Sequence, residues 1–162
     1  MATDTPFEIE DELRVVYKYG YGGITRFFSA LLDQPGGYQV TSCETCDLLF
    51  CPPRLQCQEC WGRTAWVEHT GEGTIESVVW AYWIPIDSPA RAYTDLPYAY
   101  AAIRLDGCHN LLRTRVCGLP QGSPLAEITG RRGRLKTIEE PTGRLGDLYF
   151  VTDEPAGGKP SA

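Results

Sequence analysis

The sequence predicts a mainly β protein built from an N-terminal amphipathic helix, a small metal-clipped module and a five-stranded barrel. Three observations carry this. Five of the seven cysteines fall within "CETCDLLFCPPRLQCQEC", residues 43–60. The hydrophobic period is helical before that stretch and two after it. Seventeen glycines and twelve prolines cut the chain into short pieces, which favours strands and turns over long helices.

The helix is read from "GGITRFFSALLDQPGG". Ile24, Phe27, Phe28, Leu31 and Leu32 recur at i, i+3, i+4, i+7 and i+8, the apolar stripe of one helix face. Gln34-Pro35-Gly36 ends it, because a proline disfavours helix at the residue before it. A helix this short must bury its stripe against the next module or against another protein. Before it, "LRVVYKY" suggests one short strand or helix in an otherwise loosely structured arm.

The metal module follows from spacing. Cys43 and Cys46 form one C-x-x-C, and Cys57 and Cys60 form another ten residues on. Each pair seats two thiolates on one tight turn. Two such turns place four sulfurs at tetrahedral corners, the arrangement Zn²⁺ accepts, and four filled positions make the site structural. A redox dithiol or an iron–sulfur cluster are the competing readings. A redox C-x-x-C belongs at the start of a helix in a βαβ unit, and the sequence offers none. Cys51 reads as a small packing residue, and Cys108 and Cys117 as core. Cys108 and His109 are adjacent, so on a strand they point to opposite faces and make no nucleophile–base pair. His69, beside a turn at Gly71, reads as a surface histidine rather than a ligand.

The barrel is read from period-two stretches. In "TIESVVWAYWI", Ile75, Val79, Ala81 and Trp83 are expected on one face, and Val78, Trp80, Tyr82 and Ile84 on the other. "YAYAAIRL" and "NLLRTRVC" are further strands, joined by the Asp106-Gly107 turn signal with Cys108 and His109 lengthening the loop. "EITGRRGRLKTIEE" and "DLYFVTDE" supply two more strand-like pieces, which makes five and suggests a small closed or partly closed barrel. The tail "PAGGKPSA" reads as flexible. The expected parts are residues 1–38 (arm and helix), 39–62 (metal module), 63–150 (barrel) and 151–162 (tail).

Charge narrows the function. The net charge of −6 disfavours a protein whose main task is gripping nucleic acid. The charge is uneven: the first twelve residues hold five acids and no base, whereas residues 104–136 hold seven Arg or Lys against two acids. The N-terminus has no apolar run, and no stretch approaches the length of a membrane span, so a cytoplasmic location is expected. No spacing motivates a catalytic set.

The order of parts resembles the DUF35 family. The matching residues are "FFSALLDQ" (27–34), "CETC" (43–46), "PPR" (52–54), "CQEC" (57–60), "GEGT" (71–74) and "PYAYAAIRLDG" (97–107). The resemblance covers roughly residues 20–150, and its most specific part is Pro52-Pro53-Arg54 between the cysteine pairs. It implies a rubredoxin-like zinc ribbon followed by an OB-fold. It also implies a role as a non-catalytic accessory subunit of a thiolase-superfamily enzyme, one that packs on the thiolase and helps shape the acyl-CoA site. Trp80 and Tyr82, with Phe27 and Phe28 of the helix, are then candidate partner contacts, although "VVWAYWIP" could equally lie under the helix. Arg104, Arg113 and Arg115 are candidates for the phosphates of coenzyme A, against the plainer reading of a solvated strand face. A zinc-ribbon and OB-fold protein that binds single-stranded nucleic acid is the alternative.

Overall fold

The computed structural model describes residues 18–33, 36–84, 91 and 94–153. The N-terminal arm before residue 18, the helix stop at Gln34-Pro35 and the tail from residue 154 lie outside them. A short 3₁₀ turn at Gly22–Ile24 runs into helix α1, Thr25–Asp33, and the Thr25 hydroxyl donates to the carbonyl of Gly22 at 2.6 Å. Phe27 and Leu31 are fully buried. Phe28 is half-buried and stacked on Tyr21, with ring centroids 3.6 Å apart, and Leu32 is half-exposed. The helix therefore buries the middle of its stripe on its own chain, against strand β1, Tyr38–Cys43. Each of the two buried side chains contributes roughly 1.5–3 kcal/mol to that docking.

Strand β1 is central in a three-stranded sheet. Strand β2, Leu49–Phe50, pairs on one side and β3, Thr64–His69, on the other, both antiparallel. The β1–β3 register runs from Tyr38 opposite His69 to Cys43 opposite Thr64. The metal module thus takes its third strand from beyond residue 62.

The barrel has five strands: β4 (Glu72–Ala81), β5 (Tyr98–Leu105), β6 (Leu112–Cys117), β7 (Arg132–Thr137) and β8 (Leu148–Thr152). They close in the order β4-β5-β6-β8-β7, with β6 and β8 parallel and the remaining pairs antiparallel. This is the Greek-key closure of an OB-type barrel. Asp106 and Gly107 turn the β5–β6 hairpin, with Gly107 at φ +72°, a left-handed conformation that side chains disfavour. One expected strand is corrected. The "EI" of "EITGRRGRLKTIEE" belongs to a one-turn helix, α2 (Leu125–Ile128), and the strand begins only at Arg132. Pro124 opens that turn, and Ile128, fully buried, joins the barrel core.

The facing of β4 is also corrected. Strict alternation puts Val79 on the side of Ile75, but the β4–β5 register shifts between Ile75 and Ser77. This bulge reverses the parity. Ile75 and Val78 both face the core, and Val79 faces out, 55% exposed. The strand ends at Ala81, leaving Tyr82 and Trp83 73% and 69% exposed, so this stretch is not buried under α1.

Module and barrel share one core, in which Phe27, Leu31 and Val40 pack with Ile75, Leu112 and Phe150. Polar clamps hold the junction. The Tyr38 hydroxyl donates to the carbonyl of Leu135 at 2.8 Å, and its burial raises the phenol pKa. Asn110 accepts from the N–H of Cys51 at 2.7 Å through Oδ1 and donates to the Pro52 carbonyl at 2.9 Å through Nδ2. His69 is half-buried rather than a free surface residue. Its Nδ1 accepts from the Gly71 N–H at 2.9 Å, so Nε2 carries the proton and donates to the carbonyl of Asp106 at 2.8 Å.

Most barrel arginines are neutralised on the surface. Arg132 is bidentate to Asp106 at 2.6 and 2.7 Å, Arg104 meets Glu76 at 2.8 Å, and Arg134 meets Glu72 at 3.4 Å. The Arg132 hydrogen bonds hold the Asp106 carboxyl below its ordinary value of 3.8. A depressed folded pKa adds stability that is complete above the unfolded value and lost as pH falls through the folded one. Both groups are about half exposed, so acid titration of wild type against Asp106→Asn should show a stability difference of at most about 1 kcal/mol, present above about pH 4, lost as pH falls below it and reduced by salt.

No helix of the described residues is long and apolar enough to cross a membrane.

Candidate functional site

The four expected ligands converge. The sulfurs of Cys43, Cys46, Cys57 and Cys60 all lie within 4.8 Å of one another, and those of Cys43 and Cys60 are 3.5 Å apart. Cys43 ends β1, and its N–H donates to the Leu48 carbonyl at 2.9 Å while Asp47 N–H returns to Cys43 at 3.1 Å. The second turn repeats this: Cys57 N–H to Gly62 at 2.9 Å, and Trp61 N–H to Cys57 at 3.1 Å. In each turn the residue after the second cysteine is left-handed, Asp47 at φ 54° and Trp61 at φ 60°. Such a backbone costs a non-glycine residue roughly 1–2 kcal/mol. The turn tolerates it because the conformation aims N–H groups at sulfur.

Those N–H groups are in place. Thr45 and Cys46 donate to the Cys43 sulfur at 3.4 and 3.3 Å, Glu59 to Cys57 at 3.4 Å, and Gly62 to Cys60 at 3.4 Å. Backbone donors hold the Cys43 thiol down to about 7, and sharing with the Cys60 thiol pushes Cys46 up to about 12. Four sulfurs this close cannot all ionise alone, and a divalent cation removes the conflict. A tetrahedral ion with ligand bonds of about 2.3 Å sets sulfur–sulfur distances of about 3.8 Å, which lies within the span of this cluster, one pair at 3.5 Å and none beyond 4.8 Å. The residues present fit a metal ion such as zinc. The set is complete at four, so the ion would be structural.

The other cysteines do not join it. Cys51 and Cys108 are buried, and desolvation pushes both thiols up, Cys108 to about 11, which leaves them protonated and inert. His109 is exposed and lies 3.7 Å from Glu59 rather than serving Cys108. Cys117 is half-buried at the end of β6, not core. Among the described residues no nucleophile–base pair is assembled.

The structure divides the remaining candidates. Phe27 is 1% exposed in the chain's own core, so it anchors α1 and presents nothing to a partner. Phe28 is half-buried under Tyr21, and Trp80 is half-buried with its indole N–H donating to the Ser123 carbonyl at 3.0 Å. Tyr82 is open to solvent. Of the three arginines, Arg104 is engaged by Glu76 and by the His109 carbonyl, at 2.8 and 2.9 Å. Arg113 and Arg115 lie on the outer wall of β6 and line a cleft of about 120 Å³ with Tyr98, Tyr100 and Thr94. The two tyrosines are the residues that sequence reading missed as a site. Their period-two placement in "YAYAAIRL" was the available signal.

The architecture has solved counterparts. One is the "Ltp2-ChsH2(DUF35) aldolase", at 22% identity and TM-score 0.62, covering 84% of this chain and 98% of that one. The chain has the DUF35 fold. A second DUF35 structure, a protein of unknown function from Sulfolobus solfataricus, aligns at 20% identity and TM-score 0.56 over 83% of this chain and 90% of its own. No protein-family model matches the chain, and no curated protein does. Helix, four-cysteine ribbon and closed barrel are thus the DUF35 fold across nearly the whole length of both solved relatives.

Proposed function

We propose that this chain is a DUF35-family, zinc-containing accessory subunit of a thiolase-type acyl-CoA C-acyltransferase complex, without catalytic residues of its own. The observation that carries the reading is the apolar surface at the end of β4: Val79, Tyr82 and Trp83 are 55%, 73% and 69% exposed within five residues of sequence. Exposed aromatics grouped in this way are what stable interfaces bury. The pairing of Ltp2 with a DUF35 component in the Ltp2-ChsH2(DUF35) aldolase supports an enzyme as the partner. Buried, protonated thiols and a closed cysteine cluster agree with a chain that lends surface rather than chemistry.

A direct grip on coenzyme A has less support. Arg104 is already paired, and a cleft of about 120 Å³ beside Arg113 and Arg115 is the size of one ring rather than of an adenosine phosphate. The acyl-CoA role is therefore assigned through the partner's site. Neutralised arginines and a net charge of −6 also weigh against single-stranded nucleic acid.

The test is purification of the tagged chain at native expression level. The expected result is a stoichiometric thiolase-like chain, identified by mass spectrometry, with carbon–carbon bond-forming or -cleaving activity on acyl-CoA only when both chains are present. Salt-sensitive retention on single-stranded DNA with no thiolase-like companion would replace this reading with the nucleic-acid one.

A further inference from the structure

A row of outward-facing side chains crosses four adjoining strands of the barrel. Val79 on β4 lies opposite Tyr100 on β5, Tyr100 opposite Arg115 on β6, and Arg115 opposite Tyr149 on β8. The next row pairs Ser77 with Ala102 and Ala102 with Arg113. Arg115 is a buried residue, 8% exposed, and its guanidinium has neighbours within the chain. It lies 5.3 Å from the centre of the Tyr149 ring and donates to the Thr94 hydroxyl at 3.2 Å. Its position is fixed before any ligand arrives. Arg113 is exposed and forms no ion pair with a described residue, unlike Arg104, Arg132 and Arg134.

We propose that this wall is the docking site for an acidic segment of the partner subunit, with a carboxylate at Arg113 and an apolar side chain along Val79 and Tyr100. The inference rests on the accessory-subunit reading. Four features choose this occupant. The cleft is cationic in a chain of net charge −6, and no carboxylate is among its lining residues. Its volume of about 120 Å³ suits a single side chain. Tyrosine and arginine are the residues that carry most of an interface's energy when water is excluded around them. Ser77 and Ala102 are small, so a backbone can approach the wall closely. An acid on the partner would complete the charge pairing that Glu76, Asp106 and Glu72 already supply to the other arginines.

The test places a photo-crosslinker on the row, as Val79→p-benzoylphenylalanine, in the complete complex purified with its partner. The expected product joins this chain to a net-negative peptide of the partner. Arg113→Glu should reduce both the crosslink and the affinity for the partner by roughly tenfold, while Arg134→Glu stays within about twofold. A crosslink to a neutral or basic partner segment, to a second copy, or to this chain's own residues 1–17 overturns the proposal, as does an intact complex without any crosslink. If the acidic crosslinked partner is not thiolase-like, the docking inference stands and the functional reading falls. If a thiolase-like partner stays bound to the Arg113→Glu variant with unchanged affinity, the reverse holds. A chain that purifies alone overturns both.

Discussion

Replacing Cys57 with serine is expected to cost the protein its metal and most of its soluble yield. The ribbon's own core is small: Cys43, Phe50 and Cys57, with Cys46 and Leu48 packed at its edge. Three of those five residues are ligands, so without the ion the two turns are held by a single buried phenylalanine and a few backbone hydrogen bonds. Structural zinc supplies about 10–16 kcal/mol to modules of this kind, more than the net stability of most domains. Serine offers no thiolate, and the open fourth corner admits water. Metal analysis should find one ion per chain in the wild type and well below one in Cys57→Ser. Cys51→Ala is the control: it is equally buried but not a ligand, so metal should be retained with a loss of about 1–2 kcal/mol. A wild-type sample that carries neither zinc nor iron would refute the four-cysteine site.

Gly73→Ala should be nearly as damaging, through the barrel instead. Gly73 sits between Leu105 of β5 and Gly133 of β7, where β4 closes the barrel. A Cβ there would lie 2.5 Å from the Arg104 carbonyl oxygen and 2.9 Å from the Leu105 Cα, both backbone atoms that cannot swing away. Gly133 is blocked in the same manner by the backbone of Val151. The strands approach here more closely than any side chain permits, so the added methyl must pry β4 from β5. A cost of about 3 kcal/mol or more follows, read as a fall in Tm of roughly 10 °C, with the metal content unchanged. A shift within about 2 °C would mean that the closure is looser than these distances.

Much of this was legible from local pattern. The two C-x-x-C turns are local by nature: each seats its sulfurs within four residues, and no long-range contact is needed to see them. The stripe of α1 and the Asp106-Gly107 turn are local as well. The errors share one cause. Alternation groups Val79 with Ile75 on one face because it assumes an unbroken ladder, and the bulge before Ser77 forms only when β5 pairs alongside. Phe27 was read as a possible partner contact because a stripe does not say what it packs on. Arg104, Arg113 and Arg115 look alike in sequence, yet in the fold Glu76 reaches Arg104, Thr94 and the Tyr149 ring flank a buried Arg115, and Arg113 stands exposed. His69 has one local partner, the Gly71 N–H, and gained its other, the Asp106 carbonyl, from a turn that meets it across the fold.

The sequence by itself determined the metal ligands, the helix and a barrel of five short strands, since spacing and period are properties of neighbouring residues. Tertiary structure alone decided which faces remained open: the wall of Val79, Tyr100 and Arg113 exists because one extra residue in β4 turned a strand's apolar side outward, and because acids elsewhere on the barrel reach Arg104, Arg132 and Arg134 while no described acid pairs with Arg113.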